Sequence, residues 1–422
     1  MLLDPLVIVR TVHFSACTVA MGTLAFAILV ARVAAARTDG AGGVTFDRRC
    51  RGLALAALAL AGVSGALWLV LIARNILDVP FVAVLDDGGL AAVALDTRFG
   101  RIACLRLLLV AAAAVLLRWN RNRLALTAAT VLMASIALTG HAGAGTGMSG
   151  LIHVVADVVH LVAAGVWLGA LPALAWLLWT SRAGSTHTGL AADVTRRFGT
   201  IALVAVVALL ASGIVNTAIL VGWPSDPLAT TYARALAVKV GLFAVMLALA
   251  ALNRFRLTPA LPRAGATSAL AATVLAETTF GLGVIVMVGL LGTLPPAAHV
   301  HTSSAAIKRD AAFVHIHTSE VMADVTIDPG RAGPATVTIH LWHEDYRPYA
   351  ADRVELRLEP RLSEAPAVER DARHDPEGTW IADNLRIQTG GEWIVRLAIE
   401  RDGKTIILDG RVVLAQCSNE CW

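Results

Sequence analysis

The sequence predicts an all-α polytopic membrane helix bundle of about eight transmembrane helices, followed by a small all-β sandwich. Three observations predict it. The chain of 422 residues is 57% hydrophobic, and most of that is gathered into runs long enough to cross a bilayer. Arginines cluster in every second loop between those runs. After Leu294 continuous hydrophobicity gives way to short alternating segments.

The apolar runs cover roughly 6–31, 52–73, 102–117, 124–140, 151–179, 199–222, 235–252 and 270–293. Arg10 and His13 interrupt the first, so it reads as a retained span and not as a cleaved signal peptide. Arg32, Arg37, Arg48, Arg49 and Arg51 follow the first run; Arg118, Arg121 and Arg123 follow the third. Arg182, Arg196 and Arg197 follow the fifth, and Arg254, Arg256 and Arg263 the seventh. By the positive-inside rule both termini face away from the cytoplasm. The net charge of +4 is a product of this topology, so the expected partner is the lipid bilayer and no nucleic acid is implied.

The expected domains are a transmembrane bundle over 1–297, a linker over 298–309 that follows a Pro-Pro helix end, and an exported β-sandwich over 310–422. "ATVTIHLW", "RVELRLEP", "GTWIADNLRI", "GEWIVRLAI" and "KTIILDGRVVLA" alternate with period two and carry the sandwich prediction. Cys417 and Cys421 end the chain and are placed to form a disulfide in an oxidising compartment. No internal repeat, P-loop or dinucleotide fingerprint is found, and no enzymatic activity is expected.

Polar residues inside the spans are where function is sought, because each is costly in hydrocarbon. His153, Asp157, His160 and Trp167 fall on one face of the fifth run, and His141 ends the fourth. His13, Cys17 and Met21 form a second stripe, four residues apart, on the first run. Imidazole, thiolate and thioether together suit copper, Cu(I) in particular. His13 and His160 sit at similar depth, about 10 Å in at ~1.5 Å per residue, so His13, His141, His153 and His160 are expected to gather. Asp157 is a further candidate at the metal cluster, the alternative being that it only orients His160 or His153. Glu277 in the eighth run is the candidate on the cytoplasmic side. In the sandwich, His315 and His317 share one strand face, with Val314 and Ile316 on the apolar one, and are candidates for metal capture.

"GHA" followed by "DVVHLVAAGVWLGALPAL" resembles the motif of the bacterial copper resistance protein D family. "TTYARALAVKVGLFAVMLALAALNRFRLTPAL" and "LAETTFGLGVIVMVGLLGTLPPA" resemble two later motifs of that family, in the same order. The resemblance covers about residues 1–297; Ala170 and Ala233 stand where the family usually shows glycine. The tail resembles, more weakly, the YtkA-like sandwich domains appended to such proteins. The resemblance implies copper handling at the inner membrane, with transport from periplasm toward cytoplasm. Its expected partners are copper ions and a periplasmic copper chaperone. Two other readings fit the residues. A b-type haem electron carrier would use His13 and His160 as axial ligands, and a Soret band in the purified protein separates it from a transporter. A membrane-anchored periplasmic copper chaperone would use the bundle only as an anchor.

Overall fold

The structure is a computed structural model. It describes residues 4–32, 42–77, 79–86, 88–140, 147–181, 188–221, 228, 230–261, 266–294, 311–318, 321–343, 349–361, 365–375 and 378–416. The chain divides into two compact units: Met1–Ala144 with Ser149–Ala298, and His299–Trp422 with Gly145–Met148. The expected linker over 298–309, His141, and the Cys417 and Cys421 pair lie outside the described residues.

The first unit holds eight helices long and apolar enough to cross a membrane, here called the first to eighth spans. They are Pro5–Ala31, Phe46–Leu77, Arg98–Arg118, Asn122–Thr139, Gly150–Ser181, Ala191–Leu220, Thr231–Leu257 and Ala266–Leu291. The first begins where its sequence dictates: Asp4 accepts a hydrogen bond from the Leu6 amide at 2.8 Å, and Pro5 occupies the first helical position. Bulky apolar side chains such as Val63, Leu108, Val204 and Ile214 point outward. Water would not tolerate so many, but lipid does, and the helical backbone bonds itself throughout.

Small residues set the packing between the first and fifth spans. A Cβ on Gly22 would collide with the backbone of Gly165 and Gly169, and one on Gly169 would collide with the Thr18 carbonyl. The two backbones therefore lie in contact, the usual use of glycine between membrane helices. The Met21 sulfur fills the space beside Gly165.

The second unit is an antiparallel eight-stranded sheet, order β1-β2-β3-β6-β5-β4-β7-β8, folded into a sandwich. Its strands are β1 (Ala312–His317), β2 (Met322–Asp328), β3 (Gly333–Trp342), β4 (Arg353–Pro360), β5 (Val368–His374), β6 (Trp380–Ile387), β7 (Gly391–Arg401) and β8 (Lys404–Leu414). β3 and β7 alternate strictly between buried and outward residues, as their sequences predict. Val325, Ile339, Leu356, Trp393 and Leu397 belong to its own continuous core. We therefore expect residues 310–422, expressed alone, to melt cooperatively. Trp393 is 1% exposed and donates its indole N–H to the Thr389 carbonyl. Trp393→Ala should then cost about 3–5 kcal/mol in chemical denaturation. A broad melt of the parent fragment would refute its independence.

Candidate functional site

His13 is held by the second span. Its Nδ1 lies 3.0 Å from the Ala61 carbonyl and 3.3 Å from the Ser64 hydroxyl. A carbonyl can only accept, so Nδ1 carries the proton and the neutral ring presents its lone pair at Nε2. Nε2 faces the Cys17 sulfur at 3.7 Å, one helical turn on. Both residues are about 1% exposed, and Trp68 packs on the imidazole with ring centroids 5.6 Å apart. Gly65 makes room for the ring: a Cβ there would stand 3.0 Å from His13 Cε1.

His160 is held in the same manner by the sixth span. Its Nδ1 lies 3.1 Å from Ser212 Oγ, whose own proton goes to the Ala208 carbonyl at 2.6 Å. The serine therefore accepts from Nδ1–H, and in the neutral ring the lone pair again falls on Nε2. Asp157 meets the sixth span. Its carboxylate accepts from Asn216 Nδ2 of the sixth span at 3.3 Å, and Lys239 of the seventh lies within electrostatic reach of both Asp157 and His160. His153 is buried.

The expected gathering of histidines is not assembled among the described residues, where no group of three or more His, Cys, Asp or Glu side chains is placed to hold a metal ion. The sequence pattern brought together the His13 and Cys17 pair; Met21, one turn further, turns its sulfur to the fifth span. The serines and glycines that hold the two rings were missed, since in a membrane helix they read as packing residues.

Glu277 is 2% exposed and accepts a hydrogen bond from Asn253 Nδ2 of the seventh span. Thr273 donates to Asn253 Oδ1 at 2.5 Å, so the three form a chain between the seventh and eighth spans. Trp167, Asn253, Arg254 and Glu277 line one cavity, whose walls are otherwise mostly apolar. Trp167 itself is buried edge-on against Phe243, centroids 5.9 Å apart.

In the sandwich, His315, Asp324 and His340 stand in one cross-strand row. His315 Nδ1 meets Asp324 Oδ1 at 2.6 Å. Burial pushes the His340 pKa below its ordinary value, with Asp324 acting in the opposite sense. His317 is paired in register with Met322.

Eight long apolar helices with buried imidazole, thiol and carboxyl groups define a polytopic membrane protein. Comparison with known families agrees. Residues 192–291 match the copper resistance protein D model, and residues 1–151 match the model for a copper resistance protein D-like N-terminal domain. Over these two stretches the chain is similar to copper resistance protein D. It is 36% identical over 178 residues to copper resistance protein D of Pseudomonas syringae pv. tomato, covering 39% of this chain and 56% of that protein. It is 29% identical over 180 residues to the inner membrane protein YebZ of Escherichia coli, covering 42% of this chain and 61% of that one. The copper transport protein CutJ of Bacillus subtilis is 34% identical over 164 residues, 39% of this chain and 29% of that one. The chain thus matches a little over half the length of the first two relatives. No solved structure matches.

Proposed function

We propose that this protein moves copper ions across the inner membrane from periplasm to cytoplasm, with both termini on the periplasmic side. One observation carries the reading: two histidines on different spans, buried His13 and part-buried His160, are each held through Nδ1, which leaves Nε2 of the neutral ring to bind a metal. The copper ion is cargo, passed between small ligand sets rather than kept in one closed site. His315 and His317 take it at the exported face, free or from a periplasmic copper chaperone. His141, His153, Asp157 and His160 receive it, His13, Cys17 and Met21 hold it in the soft-ligand stripe, and Glu277 beside Asn253 releases it inward. The relatives named for copper resistance and copper transport support the cargo.

Cells expressing the chain should accumulate more copper over minutes than cells with an empty vector. Equal or lower accumulation would overturn import. Alkaline phosphatase fused after residue 300 should be active if the sandwich is exported; an inactive fusion, with an active cytoplasmic reporter at the same point, would invert the topology.

A further inference from the structure

The polar contacts of the first two spans recur in the fifth and sixth. His13 rests on Ser64 and His160 on Ser212, and each serine is followed by a glycine that faces the ring, with a would-be Cβ 3.0 or 3.5 Å from Cε1. Three residues before each histidine stands a charge, Arg10 or Asp157. Four residues after each serine stands its partner: Arg10 lies over the Trp68 ring at 5.4 Å, and Asp157 bonds Asn216.

The third and seventh spans match as well. Both begin on a threonine cap, Thr97 accepting from the Gly100 amide at 2.9 Å and Thr230 from the Ala233 amide at 3.1 Å. "FGRIACLR" and "YARALAVK" then place Arg106 and Lys239 alike, within electrostatic reach of His13 and His160 respectively. Both spans close on the same pattern, "NRNRL" from Asn120 and "NRFRL" from Asn253.

We infer that the bundle is a tandem duplication of a four-span unit whose two histidine sites have diverged in charge, and that the first copy binds a small monovalent anion between Arg10 and Arg106. In the second copy Asp157 supplies a negative charge beside Lys239. In the first copy its position is an arginine, and among the described residues no carboxylate pairs with Arg10 or Arg106. Arg106 is 2% exposed and donates only to neutral groups: Ser135 Oγ, the Ser135 carbonyl and Thr139 Oγ1. Arg10 donates to the Gly292 carbonyl.

Among the described residues, Arg10 Nε, Arg106 Nη1 and Trp68 Nε1 have no hydrogen-bond partner. They belong to one group of side chains, since the two guanidinium carbons lie 5.4 and 5.3 Å from the Trp68 ring centroid. Arg106 is buried and Arg10 part-buried beside it; without a carboxylate partner such cations are disfavoured in a membrane, and each orphaned N–H adds to the cost. A halide or a small carboxylate offsets one of the two positive charges and accepts from the donors. For the copper reading, on which only this consequence rests, an anion from solution lowers the positive charge that a copper ion meets at His13 and Cys17, as Asp157 lowers it at the second site from the chain.

The test uses the full-length protein in nanodiscs, in gluconate buffer without copper, so it stands apart from transport. Radioactive chloride should bind saturably. Arg106→Gln and Arg10→Gln should each weaken binding by about tenfold or more, the loss expected for a charge-assisted contact. Arg10→Asp, which imports the residue of the second copy, should abolish chloride binding while the thermal melt stays cooperative. Trp68→Phe, which keeps the ring and removes the N–H, should weaken binding in a folded protein even if the arginine variants misfold. No saturable chloride binding to the parent would overturn the proposal. Binding unaltered in Trp68→Phe and in every folded arginine variant would overturn it too.

Discussion

His160→Ala is expected to lower copper accumulation by at least about tenfold, the range that loss of even a metal ligand's supporting partner costs. Trp167→Phe should leave most of it. A copper ion in a low-dielectric bundle must exchange water for protein ligands, and no apolar group replaces a lost imidazole. Ser212 holds the His160 ring so that Nε2 is presented, and alanine removes donor and support together. Trp167 lies on the same helix but is buried against Phe243, where phenylalanine keeps much of the contact. The assay is copper uptake over minutes at equal membrane levels. Parental uptake by His160→Ala would remove it from the pathway. Equal loss in both variants would make the whole helix face structural.

Gly169→Ala should be the most damaging one-carbon change in the bundle. Its added methyl meets the Thr18 carbonyl and the Gly165 backbone, which cannot swing aside as a side chain can. The first and fifth spans must separate, carrying Met21 and the histidine sites with them. Gly241→Ala in the seventh span is the control, because nothing stands within 4 Å of a Cβ there, and alanine is the better helix former. We expect Gly169→Ala to reduce folded protein recovered in detergent and to lower its melting temperature by several degrees, with Gly241→Ala at or above the parent. Equal melts would show that the close backbone contact is dispensable.

The eight spans were legible because lipid demands long apolar runs, and their structural limits differ from the sequence reading only at the ends. The sandwich was legible where one face is buried. β5 was not: in "VERDARH" only Ala372 is buried, so the strand carries almost no alternation. β2 was obscured because Asp324 is buried on the outer face beneath His315. In the site, the His13 and Cys17 pair followed from helical spacing alone. The duplication did not, because loops of unequal length change the offset from 13 and 160 to 106 and 239, and few residues between are shared. Only the recurring contacts exposed it.

The end strands of the sandwich have a consequence for the protein's life in a crowded compartment. β1 and β8 terminate the sheet order, yet Gly410 of β8 lies under Ile316 of β1, where a Cβ would stand 2.5 Å from its Cγ1. The sheet curls back on itself, so its two longest vulnerabilities shield each other from strand addition by other copies. Proteolytic loss of β8 would bare both β7, with its Trp393, Val395 and Leu397, and the freed side of β1. A clipped molecule would then be a seed for edge-to-edge association, and copies tethered side by side in one bilayer would meet at high local concentration.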